Sequence, residues 1–275
     1  MRPVPFFLLA VALLSWFAVG NGGGALAAEP ADWELVWSDE FDGDSVDLKK
    51  WEFEVNGDGG GNRELQYYLT NNARVSGGQL HIEARRERYT GRDGTREYTS
   101  SRLRTRRKGD WVYGRFDVRA RLPRGQGIWP AIWFLPTDQK YGGWPHSGEI
   151  DLMELLGHEP NKVHGTLHFS DRNGRHRSHG TNTVLAAGSF ADDLHVFRLD
   201  WEPGVMRWYV DDRLYQTQTN WTGRTNQFPA PFNQRFHLLL NLAVGGNWPG
   251  NPDASTSFPQ SMIVDYVRVY RKKSF

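Results

Sequence analysis

The chain has 275 residues, with 33 lysines and arginines against 32 aspartates and glutamates, no cysteine, 30 glycines and 12 tryptophans. That composition excludes a disordered or fibrous protein, and the near-neutral charge argues against nucleic acid as a partner. With no disulfide to form, the fold must be held by its core, and ~245 residues are enough to build one as a single domain.

Residues 1–28 read as a secretory signal peptide. Arg2 supplies the positive start, and the apolar run from Phe6 to Val19 is shorter than the ~20 residues that span a bilayer. Ala25-Leu26-Ala27 offers small residues to a signal peptidase. An uncleaved anchor is the alternative reading. The expectation is a secreted protein, extracellular or periplasmic, with no membrane segment once the leader is removed. Residues 29–275 hold no linker, repeat or low-complexity tract, so a single domain is expected, and a monomer.

Short strands separated by Gly, Asn, Asp and Pro follow one another, the pattern of an all-β sandwich or barrel. Residues 80–84 alternate apolar and polar, as do 114–120 and 264–270, which places apolar groups on one face of each. Between the first two, Arg102, Arg104, Arg106, Arg107 and Lys108 read as a strand with a solvated edge rather than a polyanion site. Trp129 and Trp133 are four apart, hence on one face of a strand, where they are either core or a surface on which sugar rings stack; Pro130 between them suggests an edge or irregular strand. Residues 206–215 look like a hairpin turning at Asp211-Asp212. No 3.6-residue apolar period lasts three turns, so helix should be scarce.

Glu149, Asp151 and Glu154 are three acids in six residues, set among Ile150, Leu152, Met153, Leu155 and Leu156. On a regular strand Glu149 and Asp151 share a face and Glu154 points into the apolar layer, where an unpaired carboxylate is expensive. A β-bulge at Leu152 or Met153 would return Glu154 to the common face. Retaining glycoside hydrolysis needs two carboxyl groups ~5 to 5.5 Å apart, and a third between them would help hold one protonated. A calcium site or a solvated strand edge remains open on the acids alone. His164 and His168 also share a strand face, but nothing completes a zinc set, and a neutral histidine bonding to substrate or carboxylate is the expected role.

At these residues the chain resembles glycoside hydrolase family 16, and within it the bacterial laminarinases. The likeness runs in order through Trp37-Ser38-Asp39-Glu40-Phe41, Glu64-Leu65-Gln66-Tyr67-Tyr68, 98–102, 127–136, 148–154, 164–169, 241–250 and 264–270, nearly the whole mature chain. It implies a β-jelly roll of two curved antiparallel sheets with a substrate cleft on the concave one, and endo-β-1,3-glucanase activity without a catalytic cofactor. By motif position Glu149 is the nucleophile, Asp151 the helper and Glu154 the acid/base. The extra residue Met153 resembles laminarinases, agarases and carrageenases, whereas lichenases hold the outer acids one residue closer.

The resemblance also implies sugar contacts from Asn62, Arg102, Trp129, Trp133, Trp144, His168 and Trp248. A structural calcium at Glu40, the carbonyl of Gly78 and Asp265 is a further implication. The implied partner is a β-glucan, with an agarase- or carrageenase-like galactan hydrolase or a non-catalytic glucan-binding protein as alternatives. Residues 89–98 and 104–108 are more basic than a neutral glucan requires, which leaves room for an anionic polysaccharide.

Overall fold

The computed structural model describes residues 32–225 and 227–273. The stretch read as a signal peptide lies outside them. Regular structure among the described residues is strand, apart from two 3₁₀ turns at Gly59–Gly61 and Thr70–Asn72, and no helix is long and apolar enough to cross a membrane.

Two eight-stranded antiparallel sheets face each other. The first runs Arg213–Gln218, Val205–Val210, His195–Glu202, Gly114–Arg121, Gln260–Lys272, Gln79–Ala84, Ala73–Ser76, with Trp33–Asp39 also on Gln260–Lys272. The second runs His176–Val184, Lys162–Ser170, Glu149–Leu155, Ile128–Pro136, Phe236–Val244, Arg102–Arg104, Glu52–Phe53, with Asp110–Trp111 also on Phe236–Val244. Consecutive hairpin strands are joined in each sheet to strands from distant parts of the chain, as where Gln260–Lys272 lies between Gly114–Arg121 and Gln79–Ala84, the crossing connectivity of a jelly roll.

The core fills the space between the sheets. Phe116, Val118, Leu199, Val267 and Val269 enter it from one side, and Ile132, Phe134, Ile150, Leu238 and Leu240 from the other. Phe116 meets Phe134 edge-on across the gap with ring centres 4.8 Å apart. Alternation holds in Gln79–Ala84, where Leu80, Ile82 and Ala84 are buried. The hairpin turns at Asp211 and Asp212 with φ of 49° and 65°, the left-handed pair that a two-residue turn requires.

Three strands depart from the expectations. Residues 264–270 do not alternate strictly: Arg119 faces Tyr266 and Ala120 faces Val264, so Asp265 is an extra residue and the apolar phase shifts from Val264 to Val267. Pro130 lies in an inner strand, not an edge. It is tolerated because Ile128 turns its carbonyl to Gly157, so Pro130, two residues on, turns its nitrogen the same way, beyond the last ladder pair of Ala131 with Glu154. Arg102–Arg104 is likewise no solvated edge; it is flanked by Phe236–Val244 and Glu52–Phe53.

Candidate active site

Glu149–Leu155 lies between Ile128–Pro136 and Lys162–Ser170. On one side Trp133 faces Asp151 and Ile132 faces Met153, leaving Leu152 unpaired. On the other, Asp151 faces Thr166 and Glu154 faces His164, so Gly165 alone spans Leu152 and Met153. This is the β-bulge that side-chain parity demands. Leu152 and Met153 both enter the core, and Glu154 returns to the face of Glu149 and Asp151.

The bulge is pinned from the opposite sheet. Trp208 crosses the core and donates its indole N–H to the backbone carbonyl of Asp151 at 2.9 Å. Gly165 leaves room for that indole: a Cβ there would lie 2.7 Å from its Cδ1 and 2.6 Å from the Tyr215 hydroxyl.

The three acids line a cleft of about 820 Å³ on the outer face of the second sheet. All seven residues implied as sugar contacts line it too: Asn62, Arg102, Trp129, Trp133, Trp144, His168 and Trp248. Trp144 donates its N–H to Glu149 at 2.6 Å, and Trp129 donates to Glu154 at 3.1 Å. Trp133 donates to Asn241 at 2.6 Å while Arg102 stacks over its ring at 5.3 Å, and Trp248 meets Trp129 edge-on at 5.6 Å. Indole faces and guanidinium planes therefore form the walls, with carboxyls on the floor.

No arginine or lysine pairs with these carboxyls among the described residues. Burial pushes Glu149 up to about 8, with repulsion from Asp151 next and His168 and the Trp144 N–H opposing it. Burial likewise pushes Asp151 up to about 7, and its hydrogen bond with Glu149 counteracts this. Glu154 is pushed well above the usual range by burial and by repulsion from both other acids. Repulsion between the acids acts on each partner alike, so the cleft favours one carboxyl that keeps its proton over two adjacent charges. His168 and an indole N–H oppose the rise at both outer acids, but the indole bond is shorter at Glu149, 2.6 Å against 3.1 Å, which makes Glu149 the outer acid better placed to ionise. One carboxyl that holds a proton and one that yields it is the acid/nucleophile division that glycoside hydrolysis needs.

Residues 50–268 match the glycosyl hydrolases family 16. The chain belongs to this family and is a glycoside hydrolase. It is 50% identical over 254 residues to a beta-glucanase of Rhodothermus marinus, covering 87% of this chain and 85% of that one. A glucan endo-1,3-beta-glucosidase of Cryptopygus antarcticus is 41% identical over 249 residues, 86% of this chain and 91% of its own. The catalytic domain of an endo-1,3-beta-glucanase (laminarinase) from Thermotoga petrophila RKU-1 superposes with a TM-score of 0.80 at 41% identity, covering 88% of this chain and 99% of that domain.

Further residues of this family 16 cleft escaped the reading of the sequence. Asn241 supports Trp133 and is tied through Tyr68 to Glu64; a lone amide in the apolar run 238–244 was the signal for it. His176 and His237 line the cleft without a sequence pattern to mark them. The basic stretch also has a different role from that expected. Arg102, Arg104 and Arg106 line the cleft, but Arg102 and Arg104 are held by Glu54 and Glu52, which cancels much of their charge.

Metal ligation divides sharply between the two faces. Glu149, Asp151 and His168 bring ligand atoms within 4.8 Å of one another, although a cation there would have to displace the Glu149–Asp151 hydrogen bond. The calcium set of Glu40, Gly78 and Asp265 does not fit. Both oxygens of Glu40 accept from Arg268 at 2.9 and 2.8 Å, and Asp265 accepts from Arg119 at 2.7 Å and Gln79 at 3.4 Å. A calcium ion needs six to eight oxygen ligands, and to use these side chains it would have to draw both carboxylates away from guanidinium groups.

Proposed function

We propose that the protein is a secreted, retaining endo-β-1,3-glucanase that hydrolyses laminarin and also mixed β-1,3/1,4-glucans, acting as a monomer. The carrying observation is the bulge at Leu152, which sets Glu149, Asp151 and Glu154 together on the cleft floor, each outer acid under an indole N–H. The printed activities of the relatives support the choice of glucan.

In the first step Glu149 attacks the anomeric carbon to form a glycosyl ester, while Glu154 gives its proton to the departing glycosidic oxygen. In the second, Glu154 takes a proton from water as that water attacks the ester carbon and frees Glu149. Two inversions give net retention. Asp151 hydrogen-bonds Glu149 and, by its charge, keeps Glu154 protonated until the leaving group needs the proton.

A panel of laminarin, lichenan, agarose, κ-carrageenan and xyloglucan, scored for products and their anomeric form by NMR, tests both parts. Cleavage of laminarin with β-configured initial product is expected. Activity on a galactan alone overturns the substrate, and an α-configured product overturns the mechanism. Export by residues 1–28 predicts a mature chain starting near residue 29, read by N-terminal sequencing of the secreted protein. Size-exclusion chromatography should give a single-chain mass.

A further inference from the structure

His168 does not stand alone beside the acids. Its Nε2 lies 3.2 Å from Asp151 Oδ2, a buried oxygen that has no aligned hydrogen-bond donor among the described residues, which makes the His168 ring the nearest group able to supply one. Its Nδ1 lies 2.9 Å from Nε2 of His176, and the two rings stack with an interplanar angle of 15°. His176 belongs to the exposed edge strand His176–Val184, and its other neighbour is Trp144, 4.8 Å between ring centres, the residue whose N–H bonds Glu149.

Two imidazole nitrogens can share a hydrogen bond only if one carries a proton and the other does not. When Asp151 is ionised its oxygen can only accept, so in that state the hydrogen on His168 belongs on Nε2, facing Asp151. A neutral His168 then has a bare Nδ1, and the donor to it is His176 Nε2–H. We propose that His176 is a positioning residue of the catalytic centre: by donating to His168 it fixes the tautomer and ring angle that present an N–H to Asp151. Without this donor His168 can carry its hydrogen on Nδ1 and turn a lone pair toward the carboxylate, so Asp151 loses its anchor beside Glu149. The inference rests on the proposed roles of Glu149 and Asp151.

The test joins spectroscopy to kinetics. In wild type the imidazole 15N shifts should report His168 as protonated on Nε2 and bare on Nδ1. His176→Phe keeps a ring against Trp144 but has no donor, and should populate the Nδ1–H form of His168. Its kcat should fall about tenfold with KM within about twofold, short of the ~100-fold that misplacing a catalytic group by 1 Å costs. His176→Gln, which keeps an N–H donor, should recover most of that kcat. A wild-type His168 protonated on Nδ1 overturns the proposal, as does His176→Phe with unaltered kcat, or a Gln variant no better than Phe. Should the Phe variant fail to fold, the wild-type spectrum and the Gln variant decide. Kinetics are measured on whichever polysaccharide of the panel the wild type cleaves, so an error in the glucan assignment changes the substrate and leaves the variant ratios intact.

Discussion

Each sheet carries a bulge that decides where an acid points, and these bulges serve different ends. At Leu152 the bulge turns Glu154 out of the core into a cleft where, among the described residues, the three acids meet two indole N–H groups and a histidine and form no pair with arginine or lysine. At Asp265 in Gln260–Lys272 the extra residue is itself the acid, and Arg119 neutralises it. The same rule extends over the first sheet, where Asp117 pairs with Arg198, Asp200 with Arg115 and Glu40 with Arg268. These acids of the first sheet are given arginines; the three proposed to do the chemistry are left to share protons, at a cost in stability.

Removing the chemistry from the unpaired acids gives the largest effect. Glu149→Ser should lower kcat on the cleaved polysaccharide by on the order of 10⁴-fold or more, while the folded protein still binds the chain. Glu154→Gln should be as damaging on the natural polymer but far less so on a glycoside whose leaving group needs no proton. Equal losses on both substrates would take the proton-donor role away from Glu154.

Next in size is the pin that holds the catalytic bulge. Trp208→Phe leaves the Asp151 carbonyl without its donor in the core, which costs about 1 to 3 kcal/mol. Since that carbonyl belongs to the middle acid, kcat should fall as well, by up to ~100-fold if the backbone shifts by 1 Å. A variant that loses stability in denaturant titrations but keeps full kcat would mean that the bulge holds its shape unaided. No comparable core contact pins Asp265 among the described residues, so its bulge should tolerate change better.

Much of this was legible in the residues themselves. The parity of Glu149, Asp151 and Glu154 required a bulge, because a strand side chain has only two directions to point and Glu154 would otherwise be buried unpaired. The same parity break stood in 264–270, with Val264 and Val267 three apart, but an outward aspartate carries no penalty that would draw attention to it. What the sequence does not hold is the order of strands in a sheet. Arg268 meets Glu40, and Arg119 meets Asp265, across 228 and 146 residues of chain, so the fate of each carboxylate depended on neighbours that topology alone brings in. His176 was hidden for the same reason: it lies in a polar stretch without periodicity, and its partner His168 stands diagonally across in the adjoining strand.

A third experiment reads the cost of the unpaired acids directly. Glu149 is pushed up to about 8 from 4.5, so between those values the folded protein holds a proton that the unfolded chain releases. The sign is that of a raised carboxyl: its stabilising contribution is complete below about 4.5 and is lost as pH climbs through about 8. Glu149→Gln stays neutral at every pH. It should therefore match wild type near pH 4 and exceed it at pH 8 by about 2 to 4 kcal/mol in chemical denaturation. A variant that is no more stable at pH 8 would mean that the cleft ionises Glu149 at little cost.

The smallest effects belong to the arginine-paired face, where the expectation of a calcium ion meets its test. Glu40 and Asp265 are already satisfied by Arg268 and Arg119, so neither presents a free carboxylate to a cation. Removing divalent ions with a chelator should leave the thermal midpoint unchanged, and adding calcium should not raise it. Arg268→Ala frees both oxygens of Glu40 and should cost about 1 kcal/mol, the upper range for a pair of this exposure, with kcat untouched because the cleft lies on the other sheet. That variant sharpens the comparison further: if it acquires a calcium-dependent midpoint that wild type lacks, the guanidinium occupies the place of the ion. A wild type that melts lower in chelator would instead show that the ion competes successfully with the arginines, and that the two faces of the molecule differ less in how they treat a carboxylate than their ion pairs imply.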